Sequence, residues 1–291
     1  MRFIFTFIFI AALCGSEVQI NEIVSSNQNT FFDEDGDTPD WIELYNSSSN
    51  DISILDWGLT DDSSELFKWR FPNTVINAGD YLLIMASNKN RTDLIAQWET
   101  IIDWGDQWHY FVGNQAPPSQ WNQVGFNTSG WGTGASGFGY GDNDDNTIIN
   151  QTISIFIVKT FSILDVDHVK KIAFHIDYDD GFVAYLNGQE FARSNIIGDP
   201  PNYNQGTETW REAQIFTGGE PELFWIDSSD VWVNEGVNTL AIQVHNFNNS
   251  SSDMSCIPFL TVGRDLAINE AQGVAEELNL PGSMLHTNFK I

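Results

Sequence analysis

Three short stretches of this chain crowd oxygen ligands together: Asp33-Glu34-Asp35-Gly36-Asp37, Asp142-Asn143-Asp144-Asp145-Asn146-Thr147 and Asp177-Tyr178-Asp179-Asp180-Gly181. A hard cation such as Ca²⁺ takes about six to eight oxygens from carboxylates, carbonyls and water. Carboxylates packed this densely repel one another, so a bound cation would offset a real electrostatic cost. The candidate ligands are Asp33, Asp35 and Asp37, then Asp142, Asp144 and Asp145, then Asp177 and Asp179. The first stretch is no EF-hand, because Gly36 stands at the fourth position rather than the sixth and no Glu follows at the twelfth. Each stretch also has a plainer reading. The first reads as a solvated Asp-rich turn, and the third as hairpin chemistry, since Asp and Gly favour tight turns.

Aromatic rings supply a second chemistry. Trp121, Trp131, Tyr140 and Trp210 lie in Gly-, Pro- or Asn-rich stretches outside the expected strands. They are candidate flat platforms for sugar rings, joining apolar area to a polar edge. Core packing competes with that reading for all four. Catalytic patterns are missing from the sequence: there is no GxSxG, HExxH, Walker sequence or CxxC. The histidines at 109, 168, 175, 245 and 286 are scattered without partners at metal spacing. With 40 acidic residues, carboxylate pairs suited to glycoside hydrolysis arise by chance and carry no weight. The chain is therefore expected not to be an enzyme. Gly132-Thr133-Gly134-Ala135-Ser136-Gly137 matches GxGxxG literally, but no helical run follows and no acid stands near 157. A nucleotide site is set aside, and the glycines read as tight turns or close backbone approach.

These side chains must be positioned by β-structure. Short apolar or alternating runs punctuated by Asn, Asp, Gly and Ser extend along the whole chain, the pattern of all-β sandwiches. A first domain is expected over 17–92, a linker or short helix over 93–105, and a second domain over 106–264 with nine short strands, which suits a jelly roll. Asp180-Gly181 and Asn187-Gly188 are hairpin signals, predicting a three-stranded meander over 171–193. A further strand is expected at 211–216. Residues 265–291 read as the start of another, truncated element.

The N-terminus pairs Arg2 with an apolar run from Phe3 to Leu13 and then small residues, the layout of a secretory signal peptide over 1–16. The alternative is a lipoprotein signal acylated at Cys14. Either way the protein is expected outside the cell or on its surface, and no later segment has the roughly 20 apolar residues that span a bilayer. Loss of Cys14 would leave Cys256 alone, so stability would rest on core packing, metal ions or both. The balance of 40 Asp+Glu against 12 Lys+Arg, a net charge of −28, repels phosphate backbones and anionic membranes. Cations and neutral ligands such as glycans remain, although a saline habitat would favour the same surface.

Ile20-Asn21-Glu22-Ile23, Trp41-Ile42-Glu43-Leu44-Tyr45-Asn46, Leu55-Asp56-Trp57-Gly58 and Lys68-Trp69-Arg70-Phe71-Pro72 resemble the lamin-tail domain in its bacterial, secreted form, over roughly Glu17 to Arg91. The resemblance implies an immunoglobulin-like β-sandwich. Trp131-Gly132-Thr133-Gly134, the run Gly137 to Asp142 and the run His175 to Gly188 are similar to the galactose-binding-like jelly roll that follows such domains in bacterial surface proteins. A kinase-like domain of the spore-coat protein H (CotH) type often accompanies them, but no kinase signature occurs in these residues. Together the resemblances imply a non-catalytic exported scaffold or adhesion module, with Ca²⁺ stiffening its loops and a glycan or cell-surface component as partner. Two alternatives stay open: a carbohydrate-binding module, and the non-catalytic front of a CotH kinase-like enzyme whose catalytic part lies downstream.

Overall fold

In the strand Asp40–Asn46, Ile42 and Leu44 are buried in a core, while Glu43 and Tyr45 are only partly covered. That is the two-residue period of a strand with one face turned inward. The structure, a computed structural model, describes residues 17–33, 36–92, 95, 97–227, 233–265, 274–275 and 284–291. It is β throughout, an immunoglobulin-like sandwich and a jelly roll. The expected signal segment 1–16, with Cys14, and the candidate ligand Asp35 lie outside the described residues. The chain divides into two units, Met1–Leu94 with Leu280–Ile291, and Ile95–Asn279. Among the described residues no helix is long and apolar enough to cross a membrane.

In the first unit β1 (Val18–Val24) pairs with β2 (Asp40–Asn46), antiparallel. Two short pairs follow, β3 (Ile52–Ser53) with β6 (Val75–Ile76), and β4 (Gly58–Leu59) with β5 (Trp69–Arg70). Strand β7 (Tyr81–Ala86) then returns to β2. The core gathers Ile42, Leu44, Ile54, Trp69, Phe71 and Ile84. Residues 284–291 do not begin a new element here. Leu285–His286 pairs in parallel with β7, and Leu285 and Phe289 join this core. The physical reason is that β7 would otherwise present an unpaired edge, and the backbone of this segment meets it, with the Thr287 N–H donating to the Met85 carbonyl at 2.9 Å.

The second unit is a two-sheet roll. Its strands are β8 (Gln97–Ile102), β9 (Gln107–Val112), β10 (Gly132–Ala135), β11 (Phe138–Tyr140), β12 (Thr147–Ile148), β13 (Ser154–Ile163), β14 (Val169–Tyr178), β15 (Gly181–Leu186), β16 (Gln189–Ser194), β17 (Glu222–Asp227), β18 (Gly236–His245), β19 (Met254–Arg264) and β20 (Val274–Ala275). One sheet runs β10-β9-β13-β18-β15-β16; the other runs β12-β11-β19-β14-β17, with β8 on β19 and β20 on β8. On β13, Ile155 and Ile157 enter the main core between the sheets, whereas Phe156 and Val158 enter a second cluster with Trp121 and Tyr185.

Two expectations change. Residues 97–102, expected within a linker or short helix, form a strand because Ile102 and Glu99 are buried, the latter ion-paired at 3.1 Å with the fully buried Arg264 of β19. Residues 171–193 are no meander, since β14 lies in one sheet and the hairpin β15–β16 in the other. The Asp179-Asp180 segment is a corner between sheets. The Asp180 carboxylate holds it there, accepting the N–H of Arg211 and of Phe247, each at 2.6 Å.

Candidate metal centre

The Gly-rich run 132–141 sets the ground for the second acidic stretch. Gly139 lies on β11 against the Met254 carbonyl, and the Asp145 carboxylate occupies the space that a Cβ there would fill. Gly141 has φ +106 and backs onto Ser252 and Asp253, a conformation and an approach that only glycine accepts readily. After this turn Asn146 and Thr147 both donate their N–H to the Gly137 carbonyl, at 3.0 and 2.9 Å. The loop therefore folds back tightly, and its acidic side chains are confined.

That confinement brings Asp142, Asp144 and Asp145 together, with one oxygen of each within 4.8 Å of the others. Oxygens around a single Ca²⁺, at about 2.3–2.6 Å from the ion, lie at such separations. The Ser255 hydroxyl reaches Asp142 Oδ2 at 3.1 Å and Asp144 Oδ1 at 3.4 Å, yet it has one proton to give. Asp142 Oδ1 and Asp144 Oδ2 are buried without any hydrogen-bond partner. Asp144 as a whole is only 8% exposed. Burial first, then the neighbouring Asp144 charge, raises Asp142 to about 6. Burial, then the charges of Asp142 and Asp144, raises Asp145 to about 7. Burial likewise raises Asp144. Buried carboxylates that lack donors and face one another are costly unless a counter-charge joins them.

A second triad, Asp179, Glu212 and Asp253, meets the same 4.8 Å criterion. Asp179 is 3% exposed and raised to about 8, by burial first and then by the charges of Asp180, Asp253 and Glu212. The charges of both triads interact, since Asp253 also raises Asp142. Among the described residues no Lys, Arg or His forms an ion pair with any of these six carboxylates. Sequence reasoning missed Glu212 and Asp253: each stands apart from the acidic runs, and only the return of distant loops to the β14–β15 corner unites them.

The remaining candidates are placed differently. Asp177, fully buried, spends its oxygens on the N–H groups of Gln214 (2.9 and 2.8 Å) and Ile215 (2.7 Å). It thereby anchors a short 3₁₀ turn, Ile215–Thr217, where a strand over 211–216 is expected. In the first unit Asp33 and Asp37 share a cation already, the Lys89 ammonium, at 2.5 and 2.9 Å. Of the aromatic candidates, Trp121 is buried edge-on against Phe156 and Tyr185 and stacks on Trp131, itself half-buried. Tyr140 is half-buried, its hydroxyl accepting from Asn246 at 2.8 Å and donating to the Ser251 carbonyl at 3.3 Å. Trp210 alone of the four is open, at 69% exposure.

Residues 14–156 match the Lamin Tail Domain. The matched span runs from the lamin-tail-like first unit past its boundary at Leu94 and into β13. No curated protein sequence matches the chain. Similar solved structures include a Bacteroides uniformis beta-glucuronidase at 12% identity and TM-score 0.35, which covers 57% of this chain and 18% of its own. A beta-glycosidase from Bacteroides vulgatus gives 16% identity and TM-score 0.35, with coverage of 56% and 20%. An uncultured Clostridium sp. beta-glucuronidase gives 15% identity and TM-score 0.37, with coverage of 58% and 29%. This chain thus spans less than a third of the length of each of these enzymes.

Proposed function

We propose that the chain is a non-catalytic, exported β-sandwich module of the lamin-tail kind whose jelly roll is stapled by Ca²⁺ at Asp142, Asp144 and Asp145. The observation that carries this is the buried Asp144 Oδ2, without a hydrogen bond and converging with the carboxylates of Asp142 and Asp145. Three carboxylates that repel each other supply the charge and part of the oxygen shell; carbonyls and water would complete it. The lamin-tail match over 14–156 supports the module reading. The ion would join the β11–β12 loop to Ser255 on β19, stiffening one end of the roll for attachment to a glycan or cell-surface component.

The test is a thermal melt of the full chain with EDTA and with excess CaCl₂, beside Asp144→Asn. A cation at about 100 times its Kd stabilises the folded state by about 2.7 kcal/mol, which for a unit this size raises the midpoint by about 5–10 °C. The variant should lose the share of that gain that this triad supplies. An unchanged wild-type midpoint would overturn the reading. A carbohydrate-binding role is the second reading, and the open Trp210 ring favours it.

A further inference from the structure

The β14–β15 corner carries a feature that the enclosed Asp142–Asp145 triad does not share. Asp179 is 3% exposed, and its carboxylate accepts no hydrogen bond from any described residue. It converges with Glu212 and Asp253, which are exposed and half-buried respectively. One carboxylate thus sits at the bottom of the group and the others open it to solvent. The three come from separate places in the chain: the end of β14, the loop before Ile215, and the residue just before β19. Asp180 accepts the N–H groups of Arg211, the neighbour of Glu212, and of Phe247, at the start of the connection that leads to Asp253.

Side-chain direction then matters. Along 210–213 the chain alternates: Trp210 and Glu212 are exposed, Arg211 is half-buried with its guanidinium over the Tyr178 ring, and Ala213 is buried. Trp210 and Glu212 therefore share the outer side. We propose that Asp179, Glu212 and Asp253 form a second Ca²⁺ site, open to solvent, at which the ion takes the hydroxyl oxygens of a neutral saccharide whose ring stacks on Trp210. Three carboxylates leave about three to five of the ion's six to eight positions to outside oxygens, and vicinal sugar hydroxyls are suitable neutral donors. An aromatic face beside the ion covers the apolar side of the same ring. This inference rests on the reading of the acidic end as a cation site, but it places the ligand on the open ion rather than the enclosed one.

The experiment uses the full chain, stripped with EDTA. Calorimetric titration with Ca²⁺ alone should find two ions per wild-type chain, and one each in Asp144→Asn and Glu212→Gln. Affinity electrophoresis through galactan, xylan and mannan gels, with Ca²⁺ or EDTA, should then show Ca²⁺-dependent retardation by at least one polysaccharide. That retardation should be lost in Glu212→Gln and in Trp210→Ala, while Trp210→Ala keeps two ions and Asp144→Asn keeps the retardation. A single ion abolished by Asp144→Asn and untouched by Glu212→Gln would overturn the second site and leave the first standing. Two ions with no retardation on any of the three gels would overturn the saccharide. No Ca²⁺ binding at all would remove the underlying reading as well.

Discussion

Asp145→Asn keeps the shape of a side chain while removing one charge from the enclosed triad, and its effect should change sign with the cation. In cation-free protein the Asp145 carboxyl is raised from 3.8 to about 7, by burial and then by the charges of Asp142 and Asp144. Between those values the folded state holds a proton that the unfolded chain has released. Stability is therefore present in full below about pH 4 and is lost as pH rises through about 7. At about 1.36 kcal/mol per tenfold, forcing ionisation at pH 8 would cost at most about 4 kcal/mol. The group is half-buried, so water screening reduces this to about 1–2 kcal/mol. Without cation, near pH 8, the variant should thus melt about 2–8 °C above wild type, and near pH 5 the difference should shrink to about a third of that. With excess Ca²⁺ the order should invert, because the variant has lost a charged ligand. Circular-dichroism melts at both pH values, in EDTA and in CaCl₂, check this directly. A variant less stable than wild type at pH 8 in EDTA, or equally responsive to Ca²⁺, would refute the electrostatic argument.

Three further outcomes follow from packing. Gly139→Ala would drive a Cβ into the Met254 carbonyl and Asp145, so it should lower the midpoint and reduce the Ca²⁺ response together, as melts in EDTA and CaCl₂ would show. Glu99→Ala would strand the fully buried Arg264, and chemical denaturation should register a loss of about 3–5 kcal/mol. Leu285→Ala removes a wholly buried side chain from the first unit's core; denaturation should show a loss of about 2–5 kcal/mol, with the Ca²⁺ response of the second unit intact.

The legible part of this molecule was local. Period-two burial at Ile42 and Leu44, and the crowding of Asp142, Asp144 and Asp145, depend on neighbours in the chain, so the sequence displays them. Hairpin chemistry at Asp180-Gly181 was visible too, but a tight turn does not say whether its strands share a sheet. The side-chain bonds from Asp180 to 211 and 247 decide that, across 31 and 67 residues. Trp121 and Trp210 look alike in composition, each set among polar or small residues. The former covers Phe156 on a sheet face and the latter covers nothing comparable, a difference made by tertiary packing. Asp33 and Asp37 meet the Lys89 ammonium, a partner 56 residues away from Asp33 that the local sequence does not display. Glu212 and Asp253 carried no local signal at all, since the corner of the roll assembles them.

The most direct measurement of the central claim is a crystal structure of the full chain grown with Ca²⁺, with the ion identified by anomalous scattering. An ion is expected about 2.3–2.6 Å from carboxylate oxygens of Asp142, Asp144 and Asp145, with the Asp144 Oδ2 atom among its ligands. Those three carboxylates paired instead with protein donors and no ion between them, at saturating Ca²⁺, would contradict it.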